Sequence, residues 1–182
     1  MFNGIQYFAV ADLGVSQIFL NEDKLTNIRS WFNPSDLSNF DPLPVHDFGN
    51  DSLTLTDGHS RAFLAYTMGV DMVPITYDQD DIVTSATGQM LYKNDIVWCE
   101  RFKIHSVSDL KNRIIPDSMY HDLWIGRCDK AYNLLTQTTE IQREKWQSMY
   151  SDLYLYGASE DLSLLFFENK QGASFTIPIV KR

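Results

Sequence analysis

The sequence predicts an α+β fold: a strand-and-helix core at the N-terminus, a helical section, and a terminal antiparallel meander. Three observations carry this. Residues 53–77 read as strand, glycine turn, helix and strand; residues 88–150 show helical spacing; residues 153–180 contain three short apolar runs separated by turn residues. Leu53 and Leu55 alternate with Thr54 and Thr56, the period of a half-buried strand. Asp57-Gly58 breaks that strand. Ala62, Ala65 and Tyr66, joined by Phe63, then recur at three and four residues, and Gly69 stands where a glycine ends a helix. Val73-Pro74-Ile75-Thr76-Tyr77 is the next strand.

In chain order, Tyr7–Val10 and Val15–Leu20 flank Asp12-Leu13-Gly14, and at least one of these runs is expected to be a strand. Asn21 is an N-cap for a helix over Glu22–Phe32, with two acids in its first turn and Leu25, Ile28, Trp31 and Phe32 as its buried stripe. Asn33-Pro34 ends it. Pro42–Phe48 and Ser52–Thr56 are two strands joined by a turn at Gly49-Asn50-Asp51. His46, in the first of them, reads as a partly exposed strand histidine or as a residue facing the motif that follows. Asp78-Gln79-Asp80-Asp81 is a solvated loop capping the next helix or, in the sharper reading, a cation site.

Gly88–Phe102 is expected to be helical, burying Leu91, Ile96, Trp98, Cys99 and Phe102. Ser106-Val107-Ser108-Asp109 resembles a capping box opening a short helix that Pro116 cuts off. One helix should run from Ser118 to Leu135 and another over Gln142–Tyr150, with Trp146 and Tyr150 spaced i,i+4. Leu153–Tyr156, Leu162–Phe167 and Ser174–Val180 form the meander, with 157–161 and 169–172 as its turns and Pro178 marking an edge strand.

The polar cluster Asp57-Gly58-His59-Ser60-Arg61 falls where a strand hands over to a helix N-terminus. Unpaired N–H groups and the helix dipole favour an anion there. Gly58 allows close backbone approach, and Arg61 can add a bidentate phosphate contact. Each residue also has a plainer role: Arg61 can pair with an acid, Ser60 can cap the helix, and Gly58 serves the turn in either case.

This D-G-H-S-R-A stretch, preceded by a strand and followed by a helix, a glycine and a V-P-I strand, resembles the central motif of the ParB/sulfiredoxin superfamily. Ile18-Phe19-Leu20-Asn21 with Lys24–Ile28 resembles the family's first helix, and Pro42–Phe48 its P-[IL]-x-V strand. The likeness covers residues 5 to 80 and implies a mixed-sheet core over 1–82; beyond it, 83–182 read as the helical section and meander, expected to pack on the core because no flexible linker marks the boundary. In that family this corner binds nucleotide phosphates: CTP in ParB, ATP in sulfiredoxin and a related free-serine kinase. The resemblance therefore implies ATP or CTP with Mg²⁺, held by Asp57, Gly58, His59, Ser60 and Arg61, with Lys24 and Asn27 reaching in from the first helix. The plainer reading of Lys24 is an ordinary solvated lysine. His59 stands where sulfiredoxins carry their catalytic cysteine, so sulfinic-acid repair is excluded; the Glu-Arg-Arg of ParB is also missing. His59 is the one candidate for a catalytic group.

Composition bounds the remaining choices. The 182 residues can bury a core. The formal charge of −9 argues against a sequence-independent grip on nucleic acid or an anionic membrane, and no basic recognition helix is evident. No signal peptide or membrane span is expected, and Cys99 and Cys128 fit no zinc or C-x-x-C spacing. Buried free thiols in the cytoplasm are the expectation. The functional reading is a nucleotide- or phosphate-binding protein, with hydrolase or phosphotransferase activity as its extension. Against it stand a non-catalytic interaction module, with a protein partner or a homodimer, and, third, a ParB-like nuclease.

Overall fold

The computed structural model describes residue 2, residues 4–49 and residues 52–179. The chain is α+β and divides into two compact units, Met1–Tyr120 and His121–Arg182. The division expected near residue 82 therefore falls later, and the helices just after 82 belong to the first unit. Their apolar side chains explain it: Val83, Tyr92 and Ile96 cluster with Phe48 of the N-terminal core.

The first unit holds strands β1 (Gln6–Ala9), β2 (Leu20–Asn21), β3 (Leu43–Asp47), β4 (Leu53–Leu55), β5 (Met72–Tyr77) and β6 (Ile114–Ile115). Its helices are α1 (Glu22–Trp31), α2 (His59–Thr67), α3 (Asp81–Thr84), α4 (Ala86–Arg101) and the single turn α5 (Asp117–Tyr120). A mixed four-stranded sheet runs in the order β1-β5-β3-β4. β3 lies parallel to β5 and antiparallel to β4, placing Val45 opposite both Tyr77 and Leu55. The expected hairpin is thus present, while Asn50 and Asp51 of its turn lie outside the described residues. Leu43, Val45, Leu55, Val73 and Ile75 of the sheet are fully buried, as are Ala62, Leu64 and Ala65 of α2. α2 packs against α1 and against a 3-10 turn over Val107–Asn112.

Of the two N-terminal runs, Gln6–Ala9 is the strand. Residues 15–20 are mostly irregular, yet Val15, Ser16, Ile18 and Leu20 are buried. Gly14 bridges to Thr54 and exchanges backbone hydrogen bonds with Leu53 and Leu55, so this segment lies along β4. Asn21 caps α1, its Oδ1 accepting the Lys24 N–H at 3.0 Å. The stripe of α1 needs one correction. Trp31 is 46% exposed, because the backbone turns extended at Phe32 and sends that ring inward against Phe40 instead. Tyr66, expected on the inner face of α2, is 39% exposed; Phe63 and Leu64 fill the interior there.

The second unit begins with a π-helical turn, His121–Ile125, and continues through α6 (Gly126–Gln137) and α7 (Glu140–Met149) to β7 (Tyr154–Ala158), β8 (Leu164–Glu168) and β9 (Ser174–Pro178). The helix expected over 118–135 is helical throughout, with the π turn His121–Ile125 inserted between two α segments. Thr139 and Gln142 form a capping box at α7. The meander is antiparallel in the order β7-β8-β9. β7 extends through Gly157 and Ala158, which the sequence had suggested were turn residues, and β8 begins only at Leu164, after Leu162 at φ 51°. Gly157 is required by α6: a Cβ there would stand 2.5 Å from the Cβ and 3.0 Å from the carbonyl carbon of Lys130. β9 lies at the edge, Pro178 ends it, and Val180 lies outside the described residues. Leu134, Leu155, Ala158, Leu165 and Phe167 form the core, covered by Trp146 and Tyr150.

Cys99 is buried and Cys128 half-buried, and neither forms a disulfide. Burial pushes the Cys99 thiol up, keeping it protonated. Among the described residues no helix is long and apolar enough to cross a membrane.

Candidate functional site: the start of α2

The local sequence explains how the motif is positioned. β4 ends at Leu55, and Gly58 takes φ +78°, ψ 14°, turning the chain into α2 from a left-handed conformation that a side chain disfavours. A Cβ at Gly58 would also meet Leu43 Cδ2 at 2.7 Å and an Arg61 guanidinium nitrogen at 3.0 Å. The arginine thus folds back over the turn. One of its nitrogens donates to the Asp41 carbonyl at 2.7 Å, and its plane lies over the Phe40 ring at 5.8 Å. Arg61 is held by a carbonyl and a ring, and no acid is paired with it among the described residues.

Gly58 occupies the N-cap position, and no side chain caps α2. Ser60 is therefore not the cap. The first intrahelical bond is that of the Ala62 N–H to the Gly58 carbonyl. This leaves the N–H groups of His59, Ser60 and Arg61 without a partner among the described residues, as a helix start dictates. His59 and Ser60 are each only 4% exposed. The Ser60 hydroxyl likewise has no partner among the described residues.

His59 is fixed from the other side. Its Nε2 accepts the Ser16 N–H at 3.1 Å, and the Ser16 hydroxyl, 3.4 Å from the same nitrogen, donates to the Leu55 carbonyl at 2.8 Å. Burial pushes the imidazole down to about 4; Asp57 opposes that shift and Lys24 adds to it. Lys24 and Asp57 are thus the charges that bear on the ring, and both are exposed. Asp57 can only accept hydrogen bonds as a carboxylate, so any contact it makes with a ligand would be to an N–H or O–H donor or to a cation. Asn27 is exposed on α1, and among the described residues its side chain makes no hydrogen bond to the motif.

His46 is buried, not partly exposed, and both its nitrogens are engaged. Nδ1 donates to the Asp78 carbonyl at 2.8 Å, and Nε2 accepts from the Gln89 amide at 3.1 Å. Its ring centroid lies 4.9 Å from those of Phe48 and Tyr77. This histidine ties β3 to the loop after β5 and to α4. The acidic run behaves as a capping loop: the Asp78 carboxylate accepts the Asp80 N–H and the Thr56 hydroxyl, and Asp80 is the N-cap of α3. No cluster of three or more metal-ligating residues occurs among the described residues.

Three contributors were not legible in the sequence. Ser16 sits in an irregular segment with no pattern to announce it. Phe40 and Asp41 lie in a loop. Tyr92 had a usable signal, since it precedes Ile96 and Cys99 at helical spacing. Its hydroxyl donates to the Thr56 carbonyl at 3.2 Å, and its ring stacks on Phe48 at 5.1 Å. Burial and the nearby Asp78, Asp95 and Asp57 push its phenol up to about 12, so it acts only as a neutral donor.

Cavities of about 610, 520 and 220 Å³ are lined by other residues, among them Trp146 and Tyr150, Phe8 and Asp47, and Cys99 and His105 respectively. None of their lining residues belongs to 57–61. Comparison with protein-family models, curated proteins and solved structures finds no match to this chain.

Proposed function

We propose that the start of α2 binds a phosphate group, carried by a nucleotide or another phosphate ester. The observation that carries this reading is the set of open donors: three consecutive backbone N–H groups on largely buried residues, at an uncapped helix N-terminus. The Arg61 guanidinium is already folded over the same turn, and Lys24 adds positive charge from α1. Likeness to the ParB/sulfiredoxin superfamily supports ATP or CTP with Mg²⁺ as the ligand. Hydrolysis or phosphoryl transfer is the chemistry such a site would support by electrostatic stabilisation.

The test is thermal unfolding with ATP, ADP, CTP, GTP and inorganic phosphate, each with and without Mg²⁺, on wild type and Arg61→Ala. A ligand at a hundredfold its Kd adds about 2.7 kcal/mol, or about 5 to 10 °C for a chain of this size. One nucleotide should raise the wild-type midpoint and leave that of Arg61→Ala unmoved. A second reading is favoured by the internal contacts of the motif: His59 on Ser16 and Arg61 on Asp41 also make the turn a structural joint within an interaction module. On that reading Arg61→Ala lowers the midpoint and no ligand shifts either protein.

A further inference from the structure

The two edges of the meander sheet are finished differently. β7 is covered: Leu155, Tyr156, Gly157 and Ala158 are all buried, and α6 lies so close that Gly157 has no room for a Cβ against Lys130. β9 is open, with only Ile177 half-buried and Phe175 43% exposed. The ladder fixes which way the backbone of β9 points. The Ile179 N–H donates to the Ser163 carbonyl and the Asn169 N–H to the Ala173 carbonyl, so the backbone groups of residues 173, 175, 177 and 179 turn toward β8. By alternation Ser174, Thr176 and Pro178 turn theirs outward, where no partner meets them among the described residues. Pro178 therefore stands where its missing N–H takes nothing from the β8 ladder. The neighbouring helix is open as well. None of the residues of α7 is fully buried, and Ile141 and Met149 are exposed. The cavity of about 610 Å³ between α7 and the outer strands is lined by Trp146, Met149, Tyr150, Leu165 and Ile177.

We propose that β9 pairs with β9 of a second copy of this chain, antiparallel about a twofold axis at Thr176, so that two three-stranded sheets become one. The inference is independent of the phosphate-binding reading. In that register Thr176 faces the same residue of the second copy, and Ser174 faces Pro178. The two Thr176 residues exchange N–H and carbonyl, and each Ser174 N–H donates to a Pro178 carbonyl, so proline is asked only to accept. The edge is thereby complementary to itself, as a contact across a twofold axis requires. The same register sets Phe175 beside Ile177 on the inner face, an aromatic and β-branched pair. A slip of two residues is the next register that keeps the outward groups opposed. It sets Ile177 against Ala173 in one direction; in the other it sets Thr176 against Pro178 and halves the bonds. Charge also points to a second copy. The chain carries a formal −9, yet Ser174–Pro178 has no charge, and the two acids of α7 are balanced by Arg143 and Lys145. Two copies can bring this face together without the repulsion that their net charge imposes elsewhere. The axis stands perpendicular to the sheet, so both helix layers lie on one face and the two cavities beside β9 meet across it. The pairing removes the exposed edge.

Sedimentation of the full-length protein at micromolar concentrations should give twice the 21.0 kDa mass of the chain. Thr176→Pro deletes the central outward N–H, leaves the β8 ladder intact, and should weaken the dimer by about tenfold or more. Phe175→Lys sets a charge against the apolar surface of the second copy and should also give monomer; it serves as the second variant if Thr176→Pro unfolds. The register has its own readout. Thr176→Cys places two Cα atoms about 5.5 Å apart across the axis, within reach of a disulfide. Mild oxidation should therefore link Thr176→Cys into a covalent dimer. It should not link Ser174→Cys, nor wild type, whose Cys99 is buried and Cys128 half-buried. A monomeric wild type overturns the proposal, as does a dimer that survives both Thr176→Pro and Phe175→Lys. Crosslinking of Ser174→Cys as readily as Thr176→Cys overturns it too. A monomer whose β9 amides shift only on adding a foreign peptide strand overturns it in favour of another protein at this edge.

Discussion

The two units bury polar groups in opposite ways. In the second, the Arg127 guanidinium meets the Glu168 carboxylate through two parallel bonds of 2.9 and 3.0 Å, and both residues are almost fully buried. The Tyr156 ring lies beneath the guanidinium at 4.4 Å. The pair joins α6 to β8, each charge answered by the other within the unit. In the first unit, the start of α2 buries His59 and Ser60 but leaves their N–H groups, the Ser60 hydroxyl and one imidazole nitrogen open. A polar group paired within the fold specifies structure, whereas the donors that a helix start leaves open are free to meet water or a ligand. The contrast separates two arginines that the sequence alone leaves alike. Arg127 is a structural pair, and Arg61 is a guanidinium held in place by a carbonyl with nitrogens to spare.

Breaking the closed pair should have the largest effect. Arg127→Leu leaves Glu168 buried without its counter-charge and should cost about 3 to 5 kcal/mol. Arg127→Leu with Glu168→Leu should recover much of that loss, because no charge is then left uncompensated. Urea unfolding of the single and double variants measures both. Equal destabilisation by the two would mean that packing, not charge, dominates this joint.

Acid should act next, and on the open corner. His59 titrates near 4 in the folded chain against 6.5 for an ordinary histidine. The unfolded chain therefore binds more protons in that window, so stability is fully present above about pH 6.5 and falls as pH drops toward 4. The loss amounts to about 3 kcal/mol at pH 4. Denaturant unfolding between pH 7 and 4 should show that slope in wild type and a shallower one in His59→Gln. Identical slopes would place the titrating group elsewhere.

The smallest of these effects comes from Gly58→Ala. A left-handed φ of +78° and a Cβ 2.7 Å from Leu43 should together cost about 1 to 3 kcal/mol. The new methyl also crowds the Arg61 guanidinium, so the ligand-induced rise in midpoint should shrink as well. A stable Gly58→Ala protein with full ligand response would show that the turn can move without disturbing the donors, and would weaken the contrast between the two corners.

Local chemistry by itself determined much of this protein. Alternation over 53–56, the Asn21 cap, the Thr139 capping box and the turn residues between 153 and 180 act within a few residues. They set strand, helix and meander wherever the rest of the chain lies. The position of Gly58 between strand and helix likewise marked the candidate site, because a helix start exposes donors whatever its surroundings. Only the tertiary structure decided what those donors meet. Ser16 reaches His59 across 43 residues, Asp41 reaches Arg61 across 20, and Tyr92 reaches Thr56 across 36. His46 and Trp31 exchanged their expected exposure for the same cause: neighbours brought by α4 cover the one, and a backbone turn at Phe32 releases the other. Which nitrogen of His59 carries its proton, and whether an arginine is paired or open, depends on contacts between distant segments, and these form only when the chain is folded.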